Sequence, residues 1–416
     1  MSNVISKRRA VLFFVIVFLA PVSSGALDFG LLLNQNAGFF GGHGDGTDID
    51  YEAVLVPRFF TLFGTSGDIF LSAGITVAHG NGEWSFVPEL LRNEFTWRFG
   101  DTNLSLGRMS YSDPMALVAS GLFDGARVSR STMRGTFGMG IWYTGLLYRH
   151  RANIAMSDAD AEALQYEFDW NDFANTYFAS RRLMAALYWE HPSVAERLHL
   201  NVALIGQADL NNTYRVYHSQ YFVAKAGLVF QRFIVELGGA LEVGQTTYET
   251  ATGTNVDLNI GFAADFGLHF MPPVRFYNML SLTGRFTAGK AESGPMSAFT
   301  PITSLSHGHI LRAEIPGLSV IGLSYTARLR PAFSASLSAM HFVRSDKVTY
   351  TAFPLGEDPA GNRFLGTEFF ARFIWSPVSE ITMNLGAGAF LPSLGNAAPD
   401  ADPIWRVELA MTLALF

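Results

Sequence analysis

The sequence predicts an all-β protein, a transmembrane antiparallel β-barrel of about 18 strands preceded by a cleaved signal peptide. Three observations support this prediction. An export signal opens the chain, apolar and polar residues alternate through long segments, and short turns between those segments alternate with long polar loops. The predicted domains are a signal peptide at 1–26 and a single barrel at 27–416.

The first 26 residues contain the three parts of a secretory signal peptide. Residues 7–9 (KRR) are basic, residues 10–20 (AVLFFVIVFLA) are apolar, and Ser24-Gly25-Ala26 supplies small residues for cleavage before Leu27. An uncleaved anchor is the alternative. However, a helix over the apolar stretch, at about 1.5 Å per residue, covers only about half of a bilayer core. We therefore expect cleavage after Ala26.

The alternation is clearest in the segment 256–270. Its even positions are apolar from Val256 to Phe270, whereas its odd positions include Asp257, Asp265 and His269. Only an extended strand with two different faces uses such a period of two. The segment is longer than the five or six residues common in soluble sheets, and a tilted membrane strand needs about nine to eleven. A lipid-facing outer surface is therefore predicted.

Further segments of the same kind bring the count to 18, nine in each direction. In chain order, the predicted strands are 26–35, 53–63, 67–78, 86–99, 102–109, 120–129, 133–144, 177–190, 197–206, 220–231, 232–243, 256–270, 276–287, 318–330, 333–344, 363–376, 379–391 and 404–416. An even number places both termini on one side, and the short turns assign that side to the periplasm. One missed hairpin would give 16 strands.

A soluble β-sandwich or β-propeller is the alternative fold. Its strands would be shorter, and its apolar faces would meet each other inside the protein. Large aromatic side chains near the predicted strand ends favour a bilayer instead, because such rings accumulate at membrane interfaces. These residues are Trp84, Trp97, Tyr143, Trp189, Trp375 and Trp405.

The stretch Leu104 to Val128 (LSLGRMSYSDPMALVASGLFDGARV) resembles outer-membrane porins of the alginate-export and OprD-like kind. The shared features are a Leu-Gly-Arg strand, a tyrosine and an aspartate soon after it, and a Gly-x-x-Asp-Gly-x-Arg-Val strand. The resemblance implies an 18-stranded barrel that passes solutes. An alginate-type substrate is not carried over, because no long ladder of basic residues stands out. The final Phe416 matches the usual barrel ending, although the apolar set of the last strand lies on odd positions.

Charged residues assign the inward faces, because a lipid-facing Arg or Lys at the midplane costs ~2–4 kcal/mol. The predicted basic lumen residues are Arg92, Arg98, Arg127, Arg134, Arg285, Arg328 and Arg372. The predicted acidic wall is Glu236, Glu242, Asp257 and Asp265. The first four arginines fall opposite that wall, so a transverse field would orient small polar or zwitterionic solutes. The alternative is that many of these charges pair locally, as Arg92 with Glu94 or Arg372 with Glu368.

One short region does not fit a single pair of faces. If Arg127 points inward, Asp124 falls on the apolar side, which predicts a bulge near Asp124-Gly125. Arg108 shares its face with Leu104 and Leu106, and its position is left open.

Two long loops carry weaker signals. In the loop 145–176, the spacing of Asp158, Asp160 and Glu162 makes a weak Ca²⁺ candidate, and a solvated acidic loop is the simpler interpretation. The loop 288–317 contains a strand-like piece, 309–315, which we expect to fold inward and narrow the pore.

Enzyme, cofactor and nucleic-acid functions find little support. The chain has no cysteine, a net charge of −7, and no HExxH, GxSxG, P-loop or dinucleotide motif. We therefore predict that it is not an enzyme, holds no cofactor and binds no nucleic acid.

The leading hypothesis is an outer-membrane channel for passive diffusion of small polar solutes, with outer-membrane lipid and the barrel-assembly machinery as partners. An adhesin or structural surface barrel is one alternative. A transporter for hydrophobic ligands is another, but such proteins usually carry a plug before the barrel, whereas Leu27 to Leu33 already alternates as a strand. The sequence specifies no oligomeric state.

Overall fold

The computed structural model of the chain is an antiparallel barrel closed by 18 strands. It describes residues 27–42, 47–80, 82–194, 196–211, 215–250, 253–273, 277–291, 296–346 and 362–415. The predicted signal peptide at 1–26 and the terminal Phe416 lie outside these residues. None of the helices in the described part of the chain is long and apolar enough to cross a membrane.

The barrel strands follow one another around the wall in chain order, and the first and last strands pair to close it. They are β1 (Leu27–Gly41), β2 (Thr47–Phe63), β3 (Gly67–Gly80), β4 (Glu83–Phe99), β5 (Thr102–Ser112), β6 (Ser120–Thr132), β7 (Gly135–Tyr143), β8 (Arg182–Val194), β9 (Leu198–Asp209), β10 (Arg215–Val229), β11 (Phe233–Thr250), β12 (Gly253–Phe270), β13 (Tyr277–Thr287), β16 (Leu318–Arg330), β17 (Phe333–Arg344), β18 (Phe364–Val378), β19 (Ile381–Leu391) and β20 (Ile404–Leu415). The labels β14 and β15 belong to a small hairpin, Ser306–His307 and Ala313–Glu314, that is separate from the wall.

The predicted count of 18 strands is confirmed, and every predicted strand overlaps an observed one. Several strands extend further than predicted at the end of the barrel that carries the long loops, here called the long-loop end. For example, β2 begins at Thr47 rather than at 53, and β11 continues to Thr250 rather than ending at 243. The opposite end, where strands are joined by short turns such as 64–66 and 100–101, is called the short-turn end.

The outer face of the wall carries the apolar half of the alternation. In β12, Phe262 leaves 39% of its surface exposed on the outside, whereas its neighbour Ala263 is buried inside the barrel at 3%. The exposed large side chains continue around the ring, for example Leu204 on β9, Leu323 on β16 and Leu409 on β20. So much outward apolar surface suits contact with lipid and excludes a soluble β-sandwich or β-propeller.

The predicted bulge near Asp124-Gly125 is wrong, because β5 and β6 pair in an unbroken register there. Instead, Gly107 lies directly opposite Gly125, and Gly107 has a φ of +105°, which side-chain-bearing residues rarely adopt. A Cβ at either glycine would meet a neighbouring carbonyl oxygen. The backbone turns at this glycine pair without an extra residue, so Arg108 points into the lumen and forms an ion pair with Asp124 at 2.7 Å.

Three connections at the long-loop end fold into the barrel: residues 113–119, residues 144–181, and the described residues 288–291 and 296–317 of the third connection. The second contains the short helices α1 (Arg149–Ala152), α2 (Asp158–Ala163) and α3 (Phe173–Thr176). Apolar side chains of the three connections form a core with inward residues of β5 to β12, including Met184, Ile205, Tyr221, Ala240 and Ala263. The hydrophobic core therefore lies inside the barrel, against one side of its wall.

Candidate lumen path

The described residues 296–317 of the third connection, here called the strap, cross the lumen from β11 to β18. As predicted, this connection folds inward, but only Ala313 and Glu314 of the predicted piece 309–315 are extended, as β15. Two inward glutamates of the barrel wall hold the strap by its backbone.

Glu242 on β11 holds one end of the strap. Its side chain is fully buried, and its carboxylate accepts hydrogen bonds from the backbone N–H of Thr300 and the hydroxyl of Tyr217, both at 2.6 Å. The Tyr221 hydroxyl lies 2.6 Å from the Thr300 carbonyl oxygen and completes the contact. Since a buried carboxylate is costly without donors, these contacts fix the strap to this part of the wall.

Glu368 on β18 holds the other end. Its carboxylate accepts the backbone N–H groups of His309, Ile310 and Leu311 at 2.7 to 3.1 Å. The strap also reaches β20, where Arg312 pairs with Glu408 at 3.3 Å. The strap is therefore anchored on two separate parts of the wall.

The loop 144–181 is anchored by buried charges in the same way. Arg182, at the start of β8, is fully buried and contacts Asp160 of α2 at 2.5 Å and Asp209 of β9 at 3.3 Å. On the other side of the loop, Arg151 of α1 pairs with Glu89 of β4 at 3.1 Å. These ion pairs and the apolar core hold the loop inside the barrel.

Two polar cavities lie along β18, β19, β20 and β1 to β4, away from the core formed with β5 to β12. A cavity of about 330 Å³, here called the neck, is lined by side chains of Asn34, Asn36, Glu52, Val54, Arg372, Asn384, Glu408, Ala410 and Thr412. A second cavity of about 400 Å³, the vestibule, is lined by residues that include Asp50, His79, Glu83, Ser85, Tyr148, His150, Glu167, Phe168 and Arg312. Both cavities have Asn36 and Glu52 in their lining, so the neck and the vestibule adjoin each other, and together they are here called the path.

A chain of alternating charges runs along one side of this path. Arg406 on β20 contacts Asp50 on β2 at 2.6 Å and Glu408 at 2.7 Å, and Glu408 also contacts Arg312. Gly38 on β1 leaves room for this chain, because a Cβ there would overlap the Asp50 carboxylate and the Arg406 guanidinium. The four side chains largely neutralise one another.

Arg372 enters the neck from β18 and contacts the strap rather than a carboxylate. Its Nη2 atom lies 3.3 Å from Nδ1 of His309. Burial, followed by the nearby charge of Arg372, lowers the pKa of His309, so the ring is neutral at neutral pH. A neutral imidazole nitrogen can accept this hydrogen bond, and the guanidinium keeps its positive charge at the edge of the neck.

The predicted basic residues lie in several different settings. Arg92 donates to Glu94 at 2.8 Å from Nε, and Arg127 lies 3.8 Å from the same carboxylate. The predicted pairing of Arg92 with Glu94 is therefore confirmed. Arg98 and Arg328 are exposed near the short-turn end, where Arg328 donates to the carbonyl of Pro331 at 2.8 Å.

Two of the remaining predictions need correction. Arg134 is exposed in the turn between β6 and β7 and not on the inner wall, because β7 begins only at Gly135. The predicted pairing of Arg372 with Glu368 is wrong, because Glu368 accepts the strap N–H groups instead. Arg285 pairs with Asp265 at 3.1 Å.

The predicted acidic residues do not form one open wall. Glu242 is buried beneath the strap, and Asp265 is paired with Arg285. Glu236 pairs with Lys225 at 3.1 Å, and Asp257 is exposed towards the long-loop end of β12. None of these four residues lines the neck or the vestibule.

The three residues of the weak Ca²⁺ candidate are not brought together. The Asp158 side chain is 90% exposed and contacts Arg215 at 3.2 Å, whereas Asp160 is buried against Arg182. Glu162 lies 3.5 Å from the Tyr166 hydroxyl. Over the described residues, no three or more His, Asp or Glu side chains are grouped in a way that could hold a metal ion.

Comparison with solved structures identifies proteins with a similar fold. No protein-family model matches the chain, and no curated protein matches its sequence. Among solved structures, OccK2 (OpdF) of Pseudomonas aeruginosa, in complex with glucuronate, has a TM-score of 0.60 and 12% identity over 94% of this chain and 96% of that one. The outer membrane protein OpdK from the same organism has a TM-score of 0.57 and 12% identity over 93% and 99%. The chain shares their fold.

A third structure agrees. OpdQ of Pseudomonas aeruginosa has a TM-score of 0.57 and 10% identity over 94% of this chain and 98% of that one. The coverage includes nearly all of the chain, so the similarity extends to the whole barrel. The resemblance to OprD-like porins inferred from Leu104 to Val128 is supported by this likeness of fold.

Proposed function

We propose that the chain is an outer-membrane channel for passive diffusion of small polar solutes and that it is not an enzyme. The observation that carries this proposal is the path, two adjoining polar cavities inside a barrel with an apolar outer face. The structures similar in fold include OccK2 with glucuronate and OpdK with vanillate, two small carboxylates. Solutes of that size suit cavities of about 330 and 400 Å³.

Passage through such a path needs no energy source, because the solute follows its own concentration gradient. Polar side chains of the neck replace part of the water that a solute gives up on entry. Glu52 on β2 and Arg372 on β18 stand at the two flanks of the neck. Their opposite charges would orient a polar solute and set the balance between cations and anions.

Neutralising these two residues tests the path by its ion selectivity. We expect Glu52→Gln to shift the reversal potential under a salt gradient towards anions and Arg372→Gln to shift it towards cations. Glu236→Gln is the control, because Glu236 pairs with Lys225 outside both cavities. If folded Glu52→Gln and Arg372→Gln channels conduct with the reversal potential of the original protein, ions follow another route.

The proposal places both termini and the short-turn end in the periplasm and the long-loop end outside the cell, as short periplasmic turns favour. The lipid of the outer membrane would surround the apolar face, and the barrel-assembly machinery would insert the chain. An impermeant thiol reagent should label Asp158→Cys on intact cells but not Val378→Cys, since the chain has no cysteine of its own. Labelling of only Val378→Cys would reverse the orientation.

A surface barrel with a plugged lumen, acting as an adhesin or structural protein, is the second candidate. The observation that favours it is the hydrophobic core that fills one side of the lumen. Such a protein would give no single-channel current when folded in a bilayer, so conductance separates the two functions.

A further inference from the structure

Several uncharged amide and hydroxyl side chains line the neck. Strand register places Asn36 of β1 and Asn384 of β19 on either side of Ala410, and Asn34 beside Thr412. All of these residues line the cavity. The small side chain of Ala410 leaves the space between the two amides open.

These groups still have hydrogen bonds to offer. The Thr412 hydroxyl donates to the Asn34 carbonyl oxygen at 3.0 Å, which leaves the Asn34 amino group for another partner. Within the described part of the chain, the side chains of Asn36 and Asn384 make no hydrogen bond to protein. Each of them offers two donors and one acceptor to a molecule in the cavity.

The charged groups of the neck complement this arrangement. Glu408 is held by Arg312 and Arg406, so the remaining charged partners are the acceptor Glu52 and the donor Arg372. A carboxylate solute uses only donors and an ammonium solute only acceptors. A hydroxyl group can donate and accept a hydrogen bond at the same time. A solute with several hydroxyls can therefore bond to more of the donors and acceptors in the neck than a carboxylate or an ammonium solute can.

The vestibule adds aromatic rings next to this lining. The rings of Tyr148 and Phe168 lie 6.4 Å apart and nearly perpendicular, and both residues line the vestibule. Aromatic faces pack well against the C–H face of a ring-shaped solute, and hydrogen-bonding groups at the other edge fix its orientation. Asn36 and Glu52 border both cavities, so such a solute would meet the rings first and the amides next.

We propose that the neck is a binding subsite for uncharged polyhydroxylated solutes, that is, for small sugars, with Asn34, Asn36 and Asn384 as the specificity-determining residues. This proposal rests on the proposed channel function and names a solute class for it. The volume of about 330 Å³ lies at the small end of ligand pockets, which suits one sugar ring at a time.

Single-channel recording tests the subsite with glucose and maltose as probes. Sugar in the neck should interrupt the ion current, and the interruptions should saturate with concentration. Polyethylene glycol of similar mass should give no saturation. Asn36→Leu combined with Asn384→Leu should weaken sugar binding about tenfold, as expected for one or two lost hydrogen bonds. The single variant Asn384→Ser keeps a smaller polar group. Its affinity for sugar should therefore lie between that of the original protein and that of the double variant.

Asn201→Leu is the matched control, because Asn201 on β9 lies outside the neck and the vestibule. It should leave sugar binding unchanged. The subsite is overturned if the channel conducts but sugars do not interrupt the current, or if they do so equally in the double variant. If the folded original protein passes no current, the proposed channel function fails, and the subsite fails with it.

Discussion

Replacing Leu323 by arginine should weaken folding into a bilayer by ~2–4 kcal/mol, whereas the same change at Ser324 should cost much less. Leu323 lies near the middle of β16, points outward and leaves 49% of its surface exposed. Its register neighbours, Leu282 and Ala339, extend the apolar surface on both sides. An arginine there would place its charge in hydrocarbon, but one at Ser324 would point into the lumen.

Equilibrium unfolding from lipid vesicles measures this difference directly. The neighbouring pair in one strand controls for strand propensity and depth in the membrane. The sequence alone suggests Phe262 and Ala263 for the same comparison, but Ala263 is packed in the core inside the barrel and would be damaged by any large residue. Equal losses at Leu323 and Ser324 would show that β16 does not face lipid on one side only.

Replacing Arg182 by methionine should destabilise the anchored loop 144–181 by about 3–5 kcal/mol. The change keeps much of the side-chain length but leaves Asp160 and Asp209 buried without their cation. A buried carboxylate without a partner is costly, so the loop should leave the wall at lower temperature or denaturant concentration than the barrel itself.

Limited proteolysis within 144–181, followed with temperature, reports on this release. Asp158→Asn is the control, because it removes a contact to Arg215 from a side chain that is 90% exposed. A pair of that kind contributes about 0–1 kcal/mol. If Arg182→Met and Asp158→Asn have the same small effect on cleavage, the buried ion pairs do not hold the loop.

The strands and their faces could be predicted because a period of two leaves a direct trace in the sequence. Val256 to Phe270 shows this, since its outward residues are apolar and its inward residues include Asp257 and Asp265. The prediction of inward and outward side chains fails where the alternation changes phase along a strand and no feature of the sequence indicates it. Arg108 could not be placed because the turn at Gly107 moves it inward.

The inward position of Glu89 could not be predicted either, because β4 has one more residue than β3 near this point. The register of β3 and β4 shifts between Ser72 and Ala73, so the alternation on β4 changes phase between Glu89 and Arg92. Glu89 is buried and holds Arg151, a contact that no periodicity on one strand would show.

The position of the path could not be predicted because it depends on contacts between residues far apart in the sequence. The alternation on β11 predicts Glu242 as an open wall residue, but its carboxylate accepts a hydrogen bond from the backbone N–H of Thr300, 58 residues later. The apolar residues Phe299, Ile302 and Ile315 were the available signal that this connection enters a core. Their burial moves the open space from the predicted acidic wall to β18, β19, β20 and β1 to β4.

The most direct test of a water-filled path through the neck is a thiol block of single-channel current. Asn384→Cys places a thiol in the neck, and Leu385→Cys places one on the lipid face of the same strand. Because the chain has no cysteine, a charged impermeant thiol reagent will modify only the introduced residue. We expect the reagent to reduce the current through Asn384→Cys sharply and to leave the current through Leu385→Cys unchanged. A folded protein that passes no current, or an Asn384→Cys channel whose current is unchanged after complete modification, would contradict this expectation.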